Sequence, residues 1–169
     1  SWVYLEYTDD MGHMYGDSPQ FHTAIRKLDD KIGRIWQAIQ YRQKTFGEEW
    51  LIIITTDHGR DENSGKGHGG QTARQRSGWI VTNQAKLNNY AQYYHPGLVD
   101  IMPTIARFME IRLPLHVSRE QDGIALTGKV SIAQPTLIKA NTQLDISWKA
   151  MDKDGTVKIW LATTNNYKE

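Results

Sequence analysis

The stretch TTDHGRDENSGKGHGG, Thr55 to Gly70, decides how the rest of the chain is read. A short apolar run rich in β-branched residues, WLIIITT (Trp50 to Thr56), leads straight into Asp57 and His58. Such a run suits a strand covered on both faces, as in a parallel sheet. In open α/β sheets ligands sit just past the carboxyl ends of strands, which is where Asp57 and His58 fall. Gly59 permits a turn that aims both side chains at one cation. His68 follows in GKGHGG, where glycine lets the backbone fold back tightly. Carboxylate plus imidazole is the ligand set of zinc or a similar borderline metal.

Working outward, a second such pair stands near the start. DDMGH places Asp9 four residues before His13, after the alternating run WVYLEY. Trp2 to Tyr7 therefore reads as a buried strand, followed by a loop from Thr8 to Ser18. Ser18 is a suitable N-cap with Pro19 at the first helical position. Phe21, Ile25, Leu28, Ile32, Ile35, Trp36 and Ile39 then recur at helical spacing, which predicts one long amphipathic helix ending near Lys44 to Gly47. GWIVTN (Gly78 to Asn83) reads as a strand, and Val99 to Met109 as a helix with Pro103 in its first turn. This alternation is an α/β order. Two strands ending in Asp/His pairs could meet at one edge of a parallel sheet. Two divalent metals held there are the apparatus of phosphoryl displacement. Taken singly, each pair reads more readily as surface residues, and only their joint placement at strand exits favours a metal site. His22, His95 and His116 lack a strand exit and are assigned to helix surface or loops, and Arg74 and Arg76 to a solvated turn.

Past Gly128 the texture changes. KVSIA (Lys129 to Ala133) and the alternations Leu144, Ile146, Trp148 and Val157, Ile159, Leu161 predict the first three strands of a small β-sandwich. DKDG (Asp152 to Gly155) is a hairpin signal, so residues 143 to 150 are expected to pair antiparallel with 156 to 163. Three strands make a poor independent unit, and the chain reads as a piece of a longer protein.

Composition sets the outer bounds. A net charge of +1 lacks the basic excess of a duplex nucleic-acid surface. No apolar run is long enough to span a membrane. With no cysteine, disulfides, thiolate zinc sites and cysteine nucleophiles are excluded within this chain.

Together these motifs resemble the alkaline phosphatase superfamily, and within it the type I phosphodiesterase/nucleotide pyrophosphatase branch. YLEYTDDMGHMYG is similar to that branch's Asp-x-x-Gly-His motif, and LDDKIGRIWQAI to the helix after it. TTDHG is similar to the Asp-His-Gly metal motif. VDIMPTIARFMEI with DGIAL resembles the helix and closing Asp-Gly loop shared with sulfatases. The resemblance covers about residues 1 to 127 and implies an α/β fold, the alkaline-phosphatase-like three-layer sandwich with a mainly parallel sheet, here in part. Residues 128 to 169 would begin an all-β immunoglobulin- or fibronectin-like module, a spacer or a glycan or protein contact on an exported, periplasmic or cell-surface hydrolase of bacterial type.

The resemblance further implies two zinc ions, one on Asp9, His13 and His68, the other on Asp57 and His58, and a small phosphoester substrate. Asp10 rivals Asp9, but only Asp9 satisfies the Asp-x-x-Gly-His register. The Ser or Thr nucleophile is expected upstream of this chain, so the catalytic residue is unassigned and the piece alone is expected to be inactive. A sulfatase-like hydrolase is one alternative, though sulfatases typically use one calcium with oxygen ligands. A non-catalytic binding module on the same scaffold is another.

Overall fold

Ser18 starts the longest element. Its hydroxyl accepts the Phe21 backbone N–H at 3.2 Å, and Pro19 follows at the position where a missing N–H costs nothing. The helix α2 (Pro19–Phe46) then runs 28 residues, about 42 Å at 1.5 Å per residue, to a left-handed Gly47. In the computed structural model, which describes residues 1–161, the chain forms two compact units, Ser1–Thr82 and Asn83–Glu169.

The first unit joins α2 to a shorter helix, α1 (Tyr7–Tyr15), and to a two-stranded sheet of β1 (Ile53–Thr55) and β2 (Ile80–Thr82). α1 packs on α2, where Ala24 and Ile39 are buried. β1 and β2 are antiparallel, with Ile53 opposite Thr82, Ile54 opposite Val81 and Thr55 opposite Ile80. This differs from the sequence reading in two ways. Trp2–Leu5 pair with no strand among the described residues, Trp2 is 85% exposed, and the expected loop after them is α1. A strand exists only where a neighbour takes its ladder hydrogen bonds, and helix takes over as soon as Asp9 and Asp10 fall in a first turn, where the helix dipole favours acids. The sheet is also not parallel. A parallel pair needs a crossover, usually a helix. The segment from β1 to β2 is instead loop with one short helix, α3 (Ala73–Arg76), and it returns the chain antiparallel.

The second unit contains α4 (Asn89–Tyr93), a 3-10 turn (Leu98–Asp100) running into α5 (Ile101–Phe108), then α6 (Leu115–Glu120) and a hairpin of β3 (Ile132–Ala140) and β4 (Gln143–Ala150). Its core gathers Tyr90, Leu126 and Ala133. At the centre is a carboxylate, Asp100, 1% exposed. Its Oδ2 accepts from the Tyr90 hydroxyl (3.0 Å) and the Gly97 N–H (2.8 Å), and its Oδ1 from the Ile124 N–H (2.6 Å). Thr104 extends the network, donating to the Asp100 carbonyl and accepting the Leu126 N–H. Pro103 sits in the first turn of α5, as its spacing predicts.

The hairpin corrects the expected pairing. β4 forms where alternation predicts it, but its partner is β3, with Ala140 opposite Gln143 and the two-residue loop Asn141–Thr142 between them. Asn141 takes φ 55°, the left-handed conformation that such loops require and asparagine tolerates. Residues 156–161 form no strand. Within it the Trp160 ring lies under the Arg119 guanidinium, and just before it Asp152 pairs with Lys129. Residues 162 and 163 of the expected strand lie outside the described residues.

The Asp100 network generates a stability prediction. Asp100→Ala leaves three donors without acceptors, one buried and two partly buried, and is expected to cost about 3 kcal/mol or more; Tyr90→Phe should cost about 1–2 kcal/mol, both read from urea unfolding. Burial, then the bond to Asp100, pushes the Tyr90 phenol up to about 12. This group's contribution is therefore complete below the unfolded tyrosine value near 10 and is lost as pH rises from about 10 to 12. A Tyr90 phenolate titrating near 10, read as the absorbance difference between the folded chain and Tyr90→Phe, would contradict the network.

Candidate metal centre

Asp9 and His13 stand four residues apart on α1, so they share one helix face. Asp9 Oδ2 is 3.3 Å from His13 Nε2. The loop after β1 brings His68 to the same point, its Nε2 3.0 Å from His13 Nε2. Ligand atoms of Asp9, His13 and His68 all lie within 4.8 Å of one another. A tetrahedral zinc shell with bonds of about 2.0–2.1 Å has ligand–ligand edges of about 3.3 Å. The two shortest separations here match that spacing, so the three side chains fit one small divalent ion.

His58 joins the group from the strand exit. Its ring stacks on His68 with centroids 3.8 Å apart, and its Nε2 is 4.0 Å from Asp9 Oδ1 and 3.6 Å from Asp57 Oδ1. The His58 Nδ1 lies 2.9 Å from the Gly59 carbonyl. A carbonyl can only accept, so Nδ1 carries the proton and Nε2 keeps its lone pair on the Asp9 side. Metal-binding histidines are held in this way, one nitrogen on a backbone acceptor and the other free for the ion. Asp57 is the least engaged member: its side chain is 67% exposed, and its Oδ1 accepts the His58 N–H. The structure thus draws Asp9, His13, His58 and His68 into one cluster, with Asp57 at its margin beside His58.

Two residues passed over in the sequence build the surroundings. Arg60 is buried and donates through Nη2 to the Asp9 carbonyl (2.8 Å) and Oδ1 (2.5 Å). No periodic or motif signal marks it. Asp61 closes the loop that ends in His68. Its Oδ1 accepts the N–H groups of Asn63 (3.0 Å) and Ser64 (2.8 Å), its Oδ2 the N–H of Gly67 (2.7 Å), and its own N–H reaches the Gly67 carbonyl. An Asp followed by Asn, Ser and Gly is a turn signature, and it was there to be read. The Ser64 and Gly67 amides lead in holding the Asp61 carboxyl far below the usual range. Arg74, assigned above to a solvated turn, clamps the same region by donating to Asp17 Oδ2 (2.6 Å) and the Asp61 carbonyl (2.9 Å).

Comparison with known proteins follows the same lines. A family model described as type I phosphodiesterase / nucleotide pyrophosphatase matches residues 2–115. GPI ethanolamine phosphate transferase 2 of Schizosaccharomyces pombe (strain 972 / ATCC 24843) is 28% identical over 119 residues. That match covers 63% of this chain and 16% of the relative's length. No solved structure gives a significant match. Among the described residues no helix is long and apolar enough to cross a membrane.

The Asp61 turn carries its own test. Asp61→Ala is expected to speed hydrogen exchange at the Ser64 and Gly67 amides, and unchanged protection at both would show that the carboxylate does not hold the loop. Because the folded value is depressed, the stabilisation is complete above the unfolded value of 3.8 and is lost only as pH falls through the lower folded value. The loop should therefore keep its protection down to about pH 4.

Proposed function

The chain belongs to the type I phosphodiesterase/nucleotide pyrophosphatase family, and on that premise we propose that it supplies the metal-binding part of a zinc-dependent phosphoesterase. The observation that carries this reading is the convergence of Asp9, His13 and His68 within 4.8 Å, with His58 stacked against them. Imidazoles with a carboxylate favour a borderline ion such as zinc over the oxygen-only shell that calcium takes, which weighs against the sulfatase alternative. One ion is assigned to Asp9, His13 and His68, the second to Asp57 and His58.

When bound, such ions supply Lewis acidity toward the phosphoryl oxygens. The chain's own part is to hold carboxylate and imidazole lone pairs at fixed spacing, with the His58 proton kept on Nδ1 by the Gly59 carbonyl. The attacking hydroxyl is assigned to a Ser or Thr outside these 169 residues. It displaces the ester oxygen from phosphorus, and water then releases the phosphoryl group. Neither nearby threonine suits that role: the Thr55 hydroxyl donates to the Thr56 and Trp79 carbonyls, and Thr56 Oγ1 is buried. In the complete protein, residues 1–127 are proposed to belong to an alkaline-phosphatase-like three-layer domain with a mainly parallel sheet. Residues 128–169 would begin a separate β module contacting glycan or protein.

A second reading concerns the acceptor. The Schizosaccharomyces pombe relative is named as an ethanolamine phosphate transferase, so the same site could hand its phosphoryl group to an alcohol in place of water. Product analysis with an alcohol acceptor present separates the two.

Cobalt(II) and zinc titrations of the chain test the site. The three-ligand position is expected to bind more tightly than the Asp57–His58 position. His13→Ala and His68→Ala should each weaken it at least about tenfold. In the full-length protein the same substitutions should lower hydrolysis of bis(p-nitrophenyl) phosphate at least about a hundredfold. Stoichiometric binding that survives loss of both histidines would sink the assignment.

A further inference from the structure

We infer that Arg60 is the positioning residue of this site: its guanidinium selects which oxygen of Asp9 is left for the ion and ties the helix bearing Asp9 and His13 to the loop bearing His68. The inference rests on the metal reading above and goes beyond its ligand set.

The guanidinium spans both ligand-bearing segments. Nη2 donates to the Asp9 carbonyl at 2.8 Å and to Asp9 Oδ1 at 2.5 Å. Nη1 donates to the carbonyls of Gly65 (3.3 Å) and Lys66 (3.1 Å), just before His68. The planar fork makes this bridge possible, because its two Nη groups diverge at fixed angles; a lysine ammonium is a single point of charge. The consequence for Asp9 is chemical. Oδ1 is taken by Arg60, while Oδ2 is 3.3 Å from His13 Nε2, so Asp9 is oriented as a ligand through one oxygen.

An arginine in a phosphoester site could instead grip substrate phosphate. Burial argues against that here. Arg60 is 9% exposed, its four Nη contacts go to the chain's own oxygens, and the Phe21 ring lies 5.8 Å from the guanidinium carbon. Gly12, between Asp9 and His13, gives independent evidence. A Cβ there would stand 2.2 Å from Arg60 Cζ and 2.4 Å from Nε. The one position of α1 without a side chain is the one over which the guanidinium lies.

The experiment measures cobalt(II) affinity by chelator competition, with the visible ligand-field spectrum, for the chain and for Arg60→Met, Arg60→Lys, Gly12→Ala and the Gly12→Ala/Arg60→Met pair. Folding is monitored by circular dichroism. Supporting partners of metal ligands typically contribute about 10–100-fold in affinity. Arg60→Met and Arg60→Lys are expected to weaken binding by at least about tenfold and shift the spectrum. Gly12→Ala should weaken binding in the wild-type background and add nothing once Arg60 is methionine. Affinity and spectrum unchanged in folded Arg60→Met would overturn the inference. Should that variant not fold, unchanged affinity in folded Gly12→Ala would overturn it equally. Failure of the unmodified chain to bind cobalt or zinc is a different result, because it removes the metal site itself.

Discussion

A cation taken out of water must find acceptors, and Arg60 is such a cation. Its oxygens come from two stretches far apart in sequence, α1 and the turn before His68. Neither stretch is long or apolar enough to define the other's place by packing. α1 is nine residues with one buried position, Gly12, and the turn is polar and half-open. Polar contacts therefore order this part of the first unit, with hydrophobic burial left to α2. The charge is compensated where it sits, since Asp9 carries the opposite sign and lies within hydrogen-bond reach.

The second unit repeats the logic with the sign reversed. Asp100 is a buried anion surrounded by a phenol and two backbone amides, and it gathers the start of α5, the Tyr90 side chain and the chain at Ile124. In both units a charged side chain collects loop backbone that has no ladder or helix of its own to satisfy it.

What was legible in the sequence follows from how local the cause is. The long helix was readable in full, because its cap, proline, apolar spacing and terminal glycine are all local. Pro103 in α5 was readable for the same reason. Asp57, His58 and His68 stood out by residue type and setting, Asp9 and His13 by type and spacing alone, since the strand exit expected for them is helix α1; the structure gathers Asp9, His13, His58 and His68 closely. Strand pairing was not readable, since partners are chosen by contacts that alternation does not encode. Asp152–Gly155 was the turn read from the sequence, yet Asn141–Thr142 closes the hairpin, with β3 as partner and Leu137 opposite Ile146 across the ladder. Arg60 was invisible for a further reason: its meaning lies wholly in what surrounds it.

β3 carries one more feature with a consequence. Its ladder with β4 shifts register between Ala133 and Thr136, where Gln134 has φ 50° and Pro135 offers no N–H. A two-stranded ribbon has two open rims, and an uninterrupted apolar rim is a template on which a second chain can polymerise. Leu137 and Ile138, both 62% exposed, make that hazard real on this ribbon. The kink and the absent donor cut the rim short, so an incoming strand could zip along only the stretch from Thr136 to Ala140 before losing its register. Pro135 therefore shortens the edge of β3 that a further strand could pair with, a constraint on assembly separate from any chemistry at the metal site.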